Sequence, residues 1–222
     1  MTFRVRIITP IQVDASDLAR RQLRYGERAS VDTTLEVVAL ESGPTALEST
    51  DDIEASEDAV FAACSDLSHD HCDALLVDCI FDPAVKALQA HLSIPVFGPL
   101  QTTTANIPLV VQSVGMVARV RAHIPVFEQL FADYGAADRL AAVRALDLPY
   151  ADARDPVRFD AAMSSALRAI VNEDEATGVI MGSTTMAINP EVATNAGGAP
   201  LFLSGMLTLG IMESLWCDGV LK

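Results

Sequence analysis

Lysine is nearly absent: the chain has only Lys86 and Lys222 among its fifteen basic residues, against thirty acidic ones, for a formal charge of −15. Such a surface repels nucleic-acid phosphates and anionic membranes, which excludes both as partners. It also repels an anionic substrate at long range, so a carboxylate-bearing substrate needs local arginine or oriented N–H groups. Aromatic residues are scarce at 5 %, while half of the 222 residues are hydrophobic, so the core must be built from Ala, Val and Leu. No apolar run approaches the ~20 residues of a membrane span. The start, Met1-Thr2-Phe3-Arg4-Val5-Arg6-Ile7-Ile8, lacks the apolar region and cleavage site of a leader and reads as a first strand. A cytoplasmic location is expected. Cysteine is also sparse, at 64, 72, 79 and 217, and free thiols rather than disulfides are expected. The run from Cys64 to Cys72 contains His69 and His71 but lacks the usual zinc-ligand spacings. It reads as the polar end of a helix entering a strand, and no metal is expected.

Short apolar runs alternate with longer helical stretches, the βαβ pattern of a parallel sheet. Strands are predicted over residues 4–9, 34–40, 73–78 and 95–97, with helices over 14–29, 51–70 and 83–91. Asp82 is the expected N-cap of the third helix and Pro83 its first turn. A second set follows: helices over 100–113 (broken or kinked at Pro108), 125–134 and 156–172, and strands over 115–120, 141–148, 178–182 and 200–203. Residues 206–217 read as a closing helix. The expected fold is α/β: two pseudo-symmetric four-stranded parallel-sheet lobes, with the active site in the cleft between them.

The two sets share one feature. Ala74-Leu-Leu-Val-Asp-Cys79 and Gly178-Val-Ile-Met-Gly-Ser183 each place a small nucleophilic side chain just past a hydrophobic strand. Ligands of open parallel sheets bind outside the carboxyl ends of the strands, so Cys79 and Ser183 are the first candidates for chemistry.

With those residues in view, the sequence resembles the aspartate/glutamate racemase superfamily, most nearly its hydantoin/allantoin racemase branch, over almost the whole chain. Gly43-Pro44-Thr45-Ala46-Leu47-Glu48 is similar to that branch's G-P-x-S-I-E segment. Cys79-Ile-Phe-Asp82-Pro83 is similar to its C-F-x-D-P segment around the first catalytic cysteine. Pro125-Val-Phe-Glu, Arg144-Ala-Leu-Asp-Leu-Pro149 and Gly182-Ser-Thr-Thr-Met186 follow in the family's order, where it has P-V-x-E, R-A-x-D-L-P and G-C-A-G-M. The resemblance implies lobes of residues 1–99 plus 206–222 and 100–205, with the last helix returning to the first lobe. It implies chemistry without pyridoxal phosphate, metal or other cofactor, on a small-molecule substrate, and a homo-oligomer is expected. In the racemases one thiolate removes a proton α to a carbonyl and an opposed thiol returns it. A free thiol's pKa of ~8.5 falls at a helix N-terminus, and Cys79 is placed just ahead of the helix expected at 83.

The departures bear on the reaction. The second cysteine of the pair is Ser183, whose alkoxide is far harder to form than a thiolate, so a symmetrical two-thiol racemisation cannot be written. The family's N-P-N-S/T segment becomes Thr9-Pro10-Ile11-Gln12, leaving Thr9 and Gln12 as candidate substrate contacts. A Thr pair after the fifth strand becomes Ala118-Arg119, and P-V-I-D-G becomes Pro200-Leu-Phe-Leu-Ser204-Gly205. Thr184 and Thr185 are candidate pocket donors. Arg119 reads either as the partner of a substrate carboxylate or as a solvated arginine. His123 reads as structural more readily than as a general acid, and Asp82 as a cap rather than an acid. Tyr25, Tyr134 and Trp216 carry no signal. Three functions follow: an isomerase using Cys79 as base or nucleophile, a one-cysteine lyase resembling the arylmalonate decarboxylases, or a non-catalytic ligand-binding member. The decarboxylases keep their thiol on the second lobe and hold carboxylates with small hydroxyl residues where this chain has Ile80-Phe81.

Overall fold

The computed structural model describes residues 2–148, 155–186 and 188–221. The chain divides into two compact units, Met1–Thr102 with Gly205–Lys222, and Thr103–Ser204. The first holds β1 (Phe3–Thr9), β2 (Thr33–Ala39), β3 (Ala74–Val77) and β4 (Val96–Phe97) in the order β2-β1-β3-β4. The second holds β5 (Val114–Ala118), β6 (Leu140–Ala145), β7 (Gly178–Met181) and β8 (Leu201–Phe202) in the order β6-β5-β7-β8. Every strand pair is parallel, so the second sheet repeats the first, as the alternating runs predict. β3 and β7 are buried at all four positions. Strands covered on both faces must be apolar throughout, which is why they read as unbroken hydrophobic runs.

Local signals start the helices. Asp14 caps α1 (Ala15–Gly26), accepting the Asp17 N–H at 2.8 Å. Ser49 and Asp52 form a capping box on α2 (Thr50–Cys64). Asp155 caps α6 (Pro156–Asn172), with proline at its permitted first position. The closing helix α8 (Ser204–Cys217) packs on the first unit, where Leu209 and Met212 join Phe3, Val5, Tyr25 and Leu76 in one core cluster. Trp216 stacks on Phe3 with ring centroids 4.8 Å apart. The core of the second unit gathers Val117, Met163, Leu167, Ile170, Val179 and Met181 between β5, β7 and α6.

Several boundaries differ from the sequence expectation. α2 ends at Cys64, short of the expected residue 70, although Leu67 beyond it remains buried. α4 (Pro99–Val110) continues through Pro108 and stops within a turn of it, since a proline so near the end removes little of the helical bonding. β5 ends at Ala118, which leaves Arg119 just past the strand. β6 ends at Ala145, and Asp147 adopts φ +51, a left-handed conformation that no strand continues. Pro149, the last residue of the Arg144-to-Pro149 motif, lies outside the described residues.

Candidate active site

The strand order of the first unit makes β1 and β3 neighbours whose onward connections diverge, and the crevice at their carboxyl ends is where open parallel sheets bind ligands. Thr9 is the last residue of β1, and Cys79 lies two residues past Val77, the end of β3. The register Ile8↔Val77 sets these ends side by side, and the Asp78 N–H donates to Ile8 O at 2.8 Å.

Beyond Val77 the chain turns three times in succession. The Cys79 N–H donates back to Val77 O at 2.7 Å, the Asp82 N–H to Cys79 O at 3.2 Å, and the Val85 N–H to Asp82 O at 3.2 Å. The helix expected at 83–91 therefore begins later, as α3 (Val85–His91), and Pro83 belongs to a turn. Asp82 is not its cap. The Asp82 carboxylate instead accepts the N–H groups of Leu100 at 3.1 Å and Gln101 at 2.7 Å, capping α4 from a distance and tying the Cys79 loop to that helix. A Cβ on Gly98 would lie 2.5 Å from that carboxylate, so only glycine admits it there. Asp82 and Ala84 have φ of +51 and +59. A left-handed alanine costs about 1–2 kcal/mol. Ala84→Gly is therefore expected to raise stability by about 0.5–1 kcal/mol, the reverse of the usual sign, as read from urea unfolding.

Cys79 is 7 % exposed. The expectation of a thiol acidified by a helix is overturned: burial pushes it up to about 12. A hydrogen bond from the Phe81 N–H opposes that rise, the carboxylates of Asp82 and Asp78 add to it, and the Arg21 guanidinium works against it. The resting side chain is a neutral thiol.

In the second unit, β5 and β7 occupy the matching place, and the Gly182 N–H donates to Val117 O at 2.9 Å just as that of Asp78 does to Ile8. A Cβ on Gly182 would meet Val117 O at 2.2 Å, so this close approach demands glycine. Ser183 follows, half-buried, its Oγ 3.1 Å from Thr185 Oγ1 and accepting the Thr185 N–H at 3.3 Å. The Met186 N–H donates to Ser183 O at 3.3 Å, so Ser183 to Met186 form a turn. The next helix, α7 (Pro190–Ala193), is capped by Asn189, so Ser183 caps no helix. Thr184 and Thr185 are half-buried in the same turn.

The remaining candidates divide. Thr9 is fully buried, and its hydroxyl finds no hydrogen-bond partner among the described residues. Gln12 is occupied locally: its side-chain amide donates to Gly43 O at 2.6 Å and its backbone N–H to Pro44 O at 2.9 Å, which holds the loop after β2. Arg119 is half-buried and makes no ion pair or hydrogen bond to a described residue. By contrast, Arg121 pairs with Asp147 and Arg144 with Asp174 and Glu173. His123 is buried, edge-on to Phe127 with centroids 6.1 Å apart, ahead of α5 (Ile124–Asp133).

Sequence reasoning missed the cluster behind Cys79. The Asp78 carboxylate, wholly buried, accepts from Tyr25 Oη at 2.6 Å, Arg21 Nη1 at 3.1 Å and Arg24 Nη2 at 3.4 Å. Arg21 Nε also donates to Asp17 at 2.7 Å. The available signal was a carboxylate ending an apolar strand, together with Asp17, Arg21 and Tyr25 at i, i+4 spacing on one helix face. A shallow hollow elsewhere, lined by Arg4, Arg6, Thr34, Glu36, His71 and Cys72, has both its arginines already paired, with Asp73 and Glu36.

Two parallel sheets of repeated strand order, each with a hydroxyl or thiol two residues past its central strand, define an internally duplicated α/β protein of the two-unit racemase fold. The chain belongs to the Asp/Glu/Hydantoin racemase family, whose model matches residues 19–206. It is 26 % identical to a hydantoin racemase from Rhizobium meliloti over 144 residues, which cover 64 % of this chain and 60 % of that protein. An allantoin racemase from Pseudomonas fluorescens superposes with a TM-score of 0.85 at 21 % identity, over 98 % of this chain and 92 % of that one. A liganded double mutant of arylmalonate decarboxylase, with one glycine exchanged for cysteine and one cysteine for serine, superposes with a TM-score of 0.67 at 16 % identity. That match covers 98 % of this chain and 93 % of the decarboxylase. No described helix is long and apolar enough to cross a membrane.

Proposed function

We propose that the protein is a cofactor-independent isomerase of a small carbonyl or carboxylate compound, with Cys79 carrying the proton. The observation behind this reading is the Cys79 thiol itself, at the switch point of a racemase-family sheet, with the buried Thr9 hydroxyl on the neighbouring strand end lacking a partner among the described residues. Ser183, Thr184 and Thr185, at the matching point of the second unit, are the donors that polarise the substrate carbonyl as negative charge develops on it. Arg119 supplies the cation for a carboxylate, in a chain whose net charge would otherwise repel one. The Cys79 thiol first gives its proton to solvent, and the thiolate so formed takes a proton from the carbon next to the carbonyl. The electron pair moves onto the carbonyl oxygen, water then gives a proton to that carbon on the other face, and the hydroxide left behind takes the proton from Cys79 and restores the thiolate.

A second reading, decarboxylation of a malonate-like diacid, is favoured by the neutral state of the thiol. Loss of CO₂ leaves the electron pair as an enolate without any base, and Cys79 then needs only to donate its proton, which solvent replaces. The two readings differ in pH dependence. kcat/KM reports ionisation in the free enzyme. With a thiol at about 12, a reaction needing the thiolate should rise about tenfold per pH unit from 7 to 10. One needing the neutral thiol should be flat over the same range.

The direct test presents single-enantiomer hydantoins and amino acids, and a set of malonates, without added metal or cofactor. Loss of optical rotation identifies the isomerase and CO₂ release the lyase. Silence across both sets, with thermal stabilisation by one of the compounds, identifies a ligand-binding member instead. Thr9→Val removes a hydroxyl that folding leaves unmatched, so it is expected to stabilise by about 1 kcal/mol. It should also lower kcat/KM about tenfold, the usual effect of losing one substrate hydrogen bond of ~1.4 kcal/mol.

A further inference from the structure

The second unit places glycine where the first places Asp78. Both backbone N–H groups make the same bond to the neighbouring strand, to Ile8 O and to Val117 O. The strand-end geometry therefore needs no carboxylate, yet the first unit buries one. Asp78 is wholly buried and Arg21 nearly so. A buried ion pair recovers in Coulomb attraction roughly what its desolvation costs, and a well-packed apolar pair would serve stability as well. Stability alone is thus a weak reason for this pair, and its position one residue before Cys79 is the stronger one.

We propose that Arg21 and Asp78 are positioning residues for Cys79: Asp78 pins the strand end that presents the thiol, and Arg21 balances the carboxylates that flank it. The inference rests on the reading of Cys79 as the reacting group. Three donors from α1 hold the Asp78 carboxylate: the Tyr25 hydroxyl and the guanidinium groups of Arg21 and Arg24. Because Asp78 is the pivot of the turn closed by the Cys79 N–H on Val77 O, its anchorage fixes where the next side chain points. The charges that act on the thiol come from three elements. Asp78 lies at the end of β3, Asp82 lies in the loop to α3, and Arg21 comes from α1, with Asp17 and Arg24 as its neighbours there. Tyr25 stays neutral, because burial and the adjoining Asp78 hold its phenol well above its usual range. Two carboxylates against one close cation disfavour a thiolate, so removing either sign should move the thiol in opposite directions.

The test is the rate of iodoacetamide alkylation at Cys79 between pH 8 and 10, read by peptide mass in the full-length protein. The exposed Cys217 serves as an internal reference in the same sample. Asp78→Asn should raise the Cys79 rate about tenfold and Arg21→Gln should lower it about tenfold, corresponding to about one pKa unit each way. Arg21→Lys, which keeps the cation, should stay within about twofold of wild type. A purely structural role would loosen the loop and accelerate alkylation in both neutral variants. Acceleration in both, or no change in either, overturns the proposal. If a neutral variant does not fold, an Arg21→Lys rate displaced tenfold overturns it, and a rate within twofold supports it. Alkylation is read independently of turnover. Opposed shifts in a protein whose Cys79→Ala variant remains fully active would therefore sink the functional reading and leave the charge balance standing.

Discussion

Cys79→Ala lowers kcat by about 10³-fold or more while leaving the fold intact. A positioned proton-transfer group contributes about 10²–10⁴-fold, and no other described side chain at the first unit's switch point can replace it. Thr9 is a hydroxyl with the same limitation as Ser183, and Asp82 is committed to the N–H groups of Leu100 and Gln101. The structural cost is small, because the turns of the loop are closed through Cys79 N and O, and its sulfur accepts only the Phe81 N–H. Far-ultraviolet circular dichroism and the urea midpoint should thus stay near wild type as activity disappears. Cys79→Ser should fall nearly as far, since a hydroxyl is a far weaker acid than a thiol. A Cys79→Ala enzyme within tenfold of wild-type kcat would contradict the assignment.

Asp78→Ala is the corresponding prediction for stability, with an expected loss of about 3–5 kcal/mol in urea unfolding. Truncation leaves the Arg21 guanidinium, 7 % exposed, without its buried partner, and strips the acceptor from the Tyr25 hydroxyl, which is fully buried. Stripping a buried charge of its buried partner is among the few single changes that cost this much, and the remaining bond from Arg21 Nε to Asp17, a quarter exposed, sets the loss toward the lower end. Asp78→Asn retains an acceptor for Tyr25 and should cost clearly less. Arg21→Met with Asp78→Leu removes both charges together and should recover most of the loss, as apolar replacement of a whole buried pair does. A loss below about 1 kcal/mol for Asp78→Ala would mean that water reaches the cluster.

How much of this was legible in the sequence follows from which interactions are local. The apolar runs of β3 and β7, the capping residues Asp14, Ser49 and Asp155, and the alternation of strand and helix all report on near neighbours, and they carry the α/β class and repeated sheet order. The loop after β3 was misread because Asp82-Pro83 fits a helix start locally. The carboxylate is taken instead by the amides of Leu100 and Gln101, eighteen and nineteen residues away. With Asp82 so engaged the helix starts at Val85, six residues past Cys79 rather than the expected four, and its first turn lies farther from the thiol. Burial then decides the sign for the thiol, and burial is a property of the packed chain rather than of the residues around position 79. Of the Arg21–Asp78–Tyr25 cluster the sequence shows only the local half, the i, i+4 face of Asp17, Arg21 and Tyr25, because Asp78 lies more than fifty residues away. The positions of Cys79, Ser183 and Thr9 were legible because strand ends are, whereas the committed state of Gln12 depends on the loop at Gly43 and was not.

Solvent deuterium is the most direct probe of whether Cys79 moves a proton to or from carbon. Substrate from the panel that shows turnover is incubated in D₂O with wild type, Cys79→Ala and Ser183→Ala, and label at the carbon next to the carbonyl is read by mass spectrometry. The predicted result is label incorporated by wild type, incorporated at a reduced rate by Ser183→Ala, and absent with Cys79→Ala. Label entering at the wild-type rate with Cys79→Ala would contradict the account.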